Sequence, residues 1–415
     1  MTLAKSKFLA TWLLLGLGAS LLAWRILVIN LSDFFLQDDS TNAAAYALRW
    51  DDTHARGLFM MGLESAQKNP AESLRYLDTA VRRNPAEGRS YVIIGRIKEN
   101  QGDLTAAEQA MMIASQMSPR RTDVQQEVSA FWMRRGNVVR AMEHLNVVLT
   151  FGDSPRPIVF PDLLRLAENP ATRAAYVPLL QQPVTWWSQF FSYAAENAVQ
   201  VETLRALFEM QAKGPNTATA DGLRAYLKRL QREGFWTESY FVWLNSLRKD
   251  QLGNIGNLFN GSFEEPISNL GFDWIVEPAG QVLAEAAPTY GTTGSKALRI
   301  IFRGPRVQYR HLSQHLVLEA GIYTLRGRAR PESLDAVHGV QWSIYCLGQR
   351  EPLASSERFT GTDQWRHFST QFTVPNSGCP VQLARLELAG RATLDFEAKG
   401  TVWFDDMSIE RQHID

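Results

Sequence analysis

The chain has 415 residues, and its 43 Lys and Arg balance 43 Asp and Glu. That length implies roughly two or three domains with sizeable cores, and 45% hydrophobic with 21% charged residues excludes wholesale disorder. Zero formal net charge argues against a nucleic-acid partner, and two cysteines are too few for a disulfide scaffold or a four-cysteine zinc site.

The first predicted element is a membrane anchor. Phe8 to Trp24 carry no charge, Arg25 interrupts, and Ile26 to Ile29 continue the apolar run. A helix rising about 1.5 Å per residue covers roughly 25 Å before Arg25, which then snorkels to the far interface. Residues 8–30 fit one span, preceded by a cytoplasmic tail, 1–7. Lys5 and Lys7 before the run, and Asp33, Asp38 and Asp39 after it, keep the N-terminus inside and put the rest outside. A cleaved signal peptide is the competing reading, although Leu21-Leu22-Ala23 matches a cleavage site poorly. Either way the bulk of the chain leaves the cytoplasm. A signal anchor with no organelle-targeting pattern suggests a single-pass protein of a bacterial inner membrane, facing the periplasm.

Residues 40–155 read as helical and repeat. Gly95, Gly102, Ala107, Met111 and Ala114 recur 34 residues later as Ser129, Gly136, Ala141, Leu145 and Val148, and Pro85 matches Pro119. Small residues at Gly95 and Ala107 let two antiparallel helices cross closely. Gly102 with Asp103 makes the turn between them, and Pro119 stops the second. The pattern resembles the tetratricopeptide (TPR) repeat, in copies at about 54–87, 88–121 and 122–155, enough to bury a continuous core. By that resemblance Arg89, Arg96, Glu99 and Gln126 face a groove that holds protein partners; a solvated helix face explains the same residues. Pro155, Pro157 and Pro161 interrupt the period. Residues 156–252 stay helical, with TPR-like spacing returning near 220–252. The aromatic run Trp186 to Phe191 reads as core or as a partner surface.

After the linker Gly253 to Asn257 the pattern changes to short β-type runs. Leu298/Ile300/Phe302, Tyr323/Leu325/Gly327/Ala329, Val340/Trp342/Ile344/Cys346 and Phe368/Thr370/Phe372/Val374 each alternate with a second set, which predicts a sandwich or jelly roll. The segment opens with Asn257-Leu-Phe-Asn-Gly-Ser-Phe-Glu264 and closes with Gly400-Thr-Val-Trp-Phe-Asp-Asp-Met-Ser-Ile-Glu410. Gly321-Ile-Tyr-Thr-Leu, Gln364-Trp-Arg-His-Phe-Ser and Phe372-Thr-Val-Pro375 stand between. This set resembles carbohydrate-binding-module-like jelly rolls of galactose-binding-domain architecture, over 257–411. The fold class expected is therefore multidomain: one transmembrane helix, an all-α TPR-like solenoid and a C-terminal all-β jelly-roll sandwich.

In related modules a structural calcium pins the first strand to the last, and Glu264 and Asp405 are the matching positions, hard oxygen ligands that suit Ca²⁺. The alternative is that both carboxylates cap strand ends without metal. No other cofactor is implied. Aromatic rings stack on sugars; Trp342, Trp365 and Trp403 read as core, which leaves Trp274, Tyr309 and Tyr345 as candidate glycan platforms. Arg326, Arg328 and Arg330 share one strand face, for an acidic polysaccharide or for solvent. Cys346 and Cys379 form a disulfide or remain buried thiols.

Catalytic patterns are missing. Gly291-Thr-Thr-Gly-Ser-Lys296 lacks P-loop spacing, and neither GxSxG nor HExxH occurs. His311 and His315 make a weak metal pair, and Asn260-Gly-Ser262 is a glycosylation sequon without meaning in a bacterium. The function expected is a non-catalytic adaptor in exopolysaccharide or envelope-polysaccharide assembly, holding proteins through its helices and glycan through its jelly roll. Two alternatives are a purely protein-binding scaffold and a glycan-processing enzyme with a carboxylate pair that needs no local motif.

Overall fold

The computed structural model describes residues 2–37, 42–152, 156–216, 218–304, 308–390 and 393–412. Asp38, Asp39 and Pro155 from the sequence reading lie outside them. The chain forms two compact units, Met1–Phe190 with Ala198–Thr217 and Phe191–Asn197 with Ala218–Asp415.

Helix α1 (Thr2–Phe35) is long and apolar enough to cross a membrane. Its positions from Trp12 to Trp24 are exposed almost throughout. Beyond them one face docks on α2 (Ala43–Trp50): Val28 and Leu36 are buried, and the Ser32 hydroxyl donates to the Ala47 carbonyl at 3.1 Å. Arg25, expected from the sequence to snorkel, keeps an exposed side chain. Its guanidinium sits 3.4 Å from the Asp51 carboxylate just past α2, so the fully apolar part of the helix ends at Trp24.

Helices α3 (Ala55–Ser65), α4 (Pro70–Arg83), α5 (Gly88–Asn100), α6 (Leu104–Met117), α7 (Thr122–Arg134) and α8 (Val138–Phe151) form three antiparallel pairs. The second helices begin at Pro70, Leu104 and Val138, steps of 34 residues. Their N-caps keep the same step: Asn69, Asp103 and Asn137 accept from the N–H of Glu72, Ala106 and Arg140 at 3.3, 3.1 and 3.1 Å. Each cap is worth about 1 kcal/mol. Gly102 and Gly136 take φ of +80° and +71°, where a side chain is strained. Leu77, Ala107, Met111, Ala114, Val128, Phe131 and Ala141 fill the seams. At Gly95 the fit is tight: a Cβ would stand 2.9 Å from Met111 Cε.

The helices continue as α9 (Arg156–Glu168), α10 (Pro170–Arg173), α11 (Tyr176–Leu180), α12 (Trp187–Asn197) and α13 (Val201–Ala212). Trp186, Trp187, Phe190 and Phe191 are all buried. The Trp186 indole donates to Asn146 at 2.9 Å. This aromatic run is core, and its reading as a partner surface is corrected.

In the second unit α14 (Ala220–Arg232) and α15 (Trp236–Leu244) pack with a β-sandwich, Trp243 lying against Phe259 and Phe272. The strands are β1 (Ile275–Val276), β2 (Val282–Pro288), β3 (Lys296–Arg303), β4 (Leu312–Leu316), β5 (Gly321–Ala336), β6 (Val340–Cys346), β7 (Pro352–Ser355), β8 (Arg366–Val374), β9 (Gln382–Leu388) and β10 (Ala398–Arg411). They make two antiparallel sheets, ordered β1-β4-β9-β6-β7 and β2-β3-β10-β5-β8. Period-two alternation sends Leu298, Ile300, Phe302, Trp342, Ile344, Leu386 and Phe404 inward, all buried. Trp274 crosses this core against Phe263 and Trp342, with ring centroids 5.4 Å from each. The opening segment is tied directly to the last strand. Met407 N–H donates to Gly261 O at 2.9 Å, and the Asn257 amide donates to Ile409 O at 3.0 Å. Cys346 and Cys379 are disulfide-bonded, joining the end of β6 to the loop before β9.

Two outcomes follow from this packing. Gly95→Leu overpacks the α5–α6 crossing and should lower the stability of the helical unit by about 1–3 kcal/mol in thermal unfolding followed by circular dichroism. His315, partly buried with its ring 5.0 Å from that of Trp236, has its pKa lowered by burial to about 4. The unfolded chain therefore binds the proton first, so the neutral imidazole's contribution is complete above about pH 6.5 and is lost toward pH 4. Stability of the sandwich unit should fall by about 2 kcal/mol over that range, and His315→Phe should flatten the drop.

Candidate functional site

Burying Val340, Trp342 and Ile344 turns Gln341, Ser343 and Tyr345 to the outer face of the first sheet. On β9, burying Ala384, Leu386 and Leu388 turns Arg385 and Glu387 the same way. The register sets Gln341 opposite Glu387 and Ser343 opposite Arg385. A cleft of about 660 Å³ crosses this face, within the usual range for ligand sites. Its floor includes Gln341, Tyr345, Arg385 and Glu387. Gln308, Arg310, His338, Arg350, Arg358 and Asp395 stand among its walls.

The floor is a clamped network. The Arg385 guanidinium lies 4.2 Å over the Tyr345 ring and donates to Glu387 Oε2 at 3.0 and 2.6 Å. The Tyr345 hydroxyl donates to Glu387 Oε1 at 2.8 Å. Burial, then this bond to a carboxylate, pushes the Tyr345 phenol up. The phenol stays a neutral donor, with Arg385 over its ring. His338 stands 3.4 Å from Asp395 across the wall.

The structure distributes the residues singled out from the sequence unevenly. Tyr345 belongs to the cleft. Tyr309 also lines it, but its side chain is 2% exposed, packed on Phe302 and His311, and its hydroxyl has no hydrogen-bond partner among the described residues. Trp274 is fully buried and its indole donates to Asn260 O at 3.0 Å, so its reading as an open platform is corrected. The sequence reading passed over Gln341, Arg385 and Glu387. The run Gln382 to Leu388 alternates as clearly as its neighbours, and that was the available signal.

Arg326, Arg328 and Arg330 face outward from the second sheet and are already partnered. Arg326 pairs with Glu410 at 2.9 Å, and Arg328 with Asp405 and Asp406 at 2.9 and 2.8 Å. Arg330 pairs with Glu332 and lies 4.2, 5.0 and 5.2 Å from the rings of Tyr290, Trp365 and Trp403. Register makes one row of Glu285, Arg299, Trp403 and Arg330 across β2, β3, β10 and β5, and Trp365, just before β8, lies beside Arg330. Trp403 is buried, as expected, but in a small cluster with Ala287 and Ala297 flanked by arginines and not in the core between the sheets.

The residues expected to hold calcium do not fit it. Glu264 Oε1 accepts the N–H groups of Ser295 and Lys296 at 2.7 and 2.8 Å, and Oε2 accepts the Ser295 hydroxyl at 2.9 Å. The Lys296 ammonium occupies the Glu264 carbonyl at 3.0 Å. Burial tends to raise the Glu264 pKa, but these bonds prevail and hold it below the ordinary range. Asp405 is taken by Arg328, and burial pushes its carboxyl up. Calcium wants six to eight oxygens free to turn toward it; here N–H donors and two cations already hold them. His311 and His315 likewise lack a third ligand: no cluster of three His, Cys, Asp or Glu suits a metal among the described residues.

In the helical unit the groove candidates pair across successive first helices. Arg96 pairs with Glu127, and Glu99 with Arg134 at 2.8 Å. Arg89 pairs with Glu87 at 2.9 Å and covers the Phe59 ring at 4.8 Å, beside a cavity of about 220 Å³. Gln126 is exposed.

No family model and no curated protein matches the chain. Similar solved structures include a CBM4 module at 20% identity and TM-score 0.28, covering 37% of this chain and 99% of that one. A family 16 carbohydrate-binding module is 19% identical with TM-score 0.27, covering 38% and 100%. Pseudomonas aeruginosa pilF is 14% identical with TM-score 0.27, covering 54% and 90%. At such scores these likenesses decide nothing about ligand or partner.

Calcium added to the chelator-treated full chain should leave its thermal midpoint unchanged. Lys296→Met, which strands the Glu264 carbonyl, should lower the stability of the sandwich unit by about 1 kcal/mol.

Proposed function

We propose that the protein is a non-catalytic scaffold anchored by α1, whose sandwich holds glycan in the cleft of the first sheet and whose helical pairs hold protein partners. The cleft carries this reading. It is long, open and lined by planar polar groups, the chemistry that meets sugar hydroxyls through bidentate hydrogen bonds. Its one central carboxylate, Glu387, is engaged by both Arg385 and Tyr345, which favours holding a ligand over transferring a proton to it. The disulfide fits an oxidising compartment, in keeping with a chain that leaves the cytoplasm after its first helix. We place its role in exopolysaccharide or envelope-polysaccharide assembly, keeping polymer near the membrane.

Affinity electrophoresis of the detergent-solubilised full chain through gels containing polysaccharides tests this reading. One or more polymers should retard the wild type. Tyr345→Ala combined with Gln341→Ala should weaken retardation about tenfold, while Arg326→Ala on the opposite sheet should not. Retardation by no polymer makes the sandwich a protein-contact module, and release of reducing ends makes the protein an enzyme.

A further inference from the structure

We propose that the cleft takes an acidic polysaccharide, one whose sugars carry carboxylates, and that Arg310, Arg350 and Arg358 recognise the charge. This rests on the glycan reading of the same cleft and adds the class of glycan.

A count of arginine partners leads to it. In the described residues after 257, Arg299, Arg326, Arg328, Arg330, Arg366, Arg385 and Arg411 all have carboxylate partners within 3.2 Å. Arg303, Arg310, Arg350 and Arg358 have none among the described residues, and three of these four line the one cleft. The carboxylates there do not answer them. Glu387 is held by Arg385 and Tyr345, and Asp395 faces His338. Glu351 alone is left against three guanidinium groups. In a sandwich that pairs seven of its eleven described arginines, three exposed forks that line one trough mark where an anion is supplied from outside. A planar guanidinium offers a carboxylate two parallel N–H donors, which a sugar hydroxyl cannot use as fully.

Their placement favours a polymer over a small anion. Arg358 adjoins Phe359, which bridges to Val340 at the start of β6. Arg310 adjoins Tyr309, whose carbonyl accepts from Leu388 at the same end. Arg350 follows the other end of β6, in the turn after Cys346. A strand of seven residues spans about 20 Å. Charges spread over that length match a chain whose carboxylates recur from sugar to sugar.

The test is isothermal titration of the full chain in neutral detergent with polygalacturonate, alginate and hyaluronan, against methyl-esterified polygalacturonate, galactan and xylan. At least one acidic polymer should bind about tenfold or more tighter than every neutral one, and raising salt from about 50 to 300 mM should weaken it. Arg310→Gln, Arg350→Gln and Arg358→Gln combined should abolish the preference with the thermal midpoint unchanged, whereas Arg303→Gln should not. Neutral polymers binding as tightly as acidic ones overturn the inference and leave the glycan reading standing. No binding by any polymer overturns both. Dextran sulfate or duplex DNA binding as tightly as the best uronate polymer also overturns it, since the cleft is then a general polyanion surface.

Discussion

The side-chain period of a β-strand is two, so burying Trp342 decides where Tyr345 goes. Trp342 lies among Trp274 and Phe404 at centroid distances of 5.4 Å. Large aromatic residues of this kind bury more apolar surface than any other side chain. Slipping β6 by one residue would bring Gln341 and Ser343 into that core and put Trp342 in water. The register between β6 and β9 is therefore held by hydrophobic burial, and the polar floor of the cleft is its other face. A site specified in this way needs no strained backbone and no metal to assemble it.

The two outer faces of the sandwich treat arginine in opposite ways. On the second sheet the row from Glu285 to Arg330, with Trp365 beside it, surrounds arginines with carboxylates and rings. Cation–π contacts of about 0.5–2 kcal/mol each make that row a structural seam. On the first sheet only Arg385 is treated so, and it braces Tyr345 and Glu387. Exposed arginines left without partners contribute nothing to the fold and remain available to a ligand. The difference between the faces comes from composition at neighbouring positions, not from strand geometry, which both share.

This explains what the sequence revealed and what it withheld. Local alternation was enough to locate β3, β5, β6 and β8, and the recurrence of small residues at a step of 34 was enough to point to the helical pairs. Arg326, Arg328 and Arg330 do face outward, as their spacing implies; Glu332 lies two residues beyond Arg330 on the same strand, but Glu410 and Asp405 reach Arg326 and Arg328 across the β5–β10 pairing, which spacing cannot reveal. Trp274 lies just before a strand of two residues, too short to show which way it points. The cleft was legible only through Tyr345 and the buried Tyr309, because its walls come from turns far apart in sequence that the sheet order brings together. Glu264 and Asp405 were singled out by resemblance alone, while the neighbours that decide their chemistry, Lys296 and Arg328, carry no motif.

The helical unit is governed by a related constraint expressed at a different period. Its seams accept only small residues at Gly95, Ala107 and Ala141, and the cap and turn residues recur at the same step. Between neighbouring first helices, Arg96 with Glu127 and Glu99 with Arg134 neutralise each other. These partly exposed pairs are each worth at most about 1 kcal/mol, so a partner segment carrying charges of its own can exchange them at small cost. The cleft arginines Arg310, Arg350 and Arg358 differ in having no carboxylate partner among the described residues. The free energy of binding there is opposed only by desolvation and by ordering the side chains. On the proposed reading, the helical pairs would meet a partner by exchanging ion pairs, whereas the cleft would meet its ligand with arginines that no described carboxylate holds.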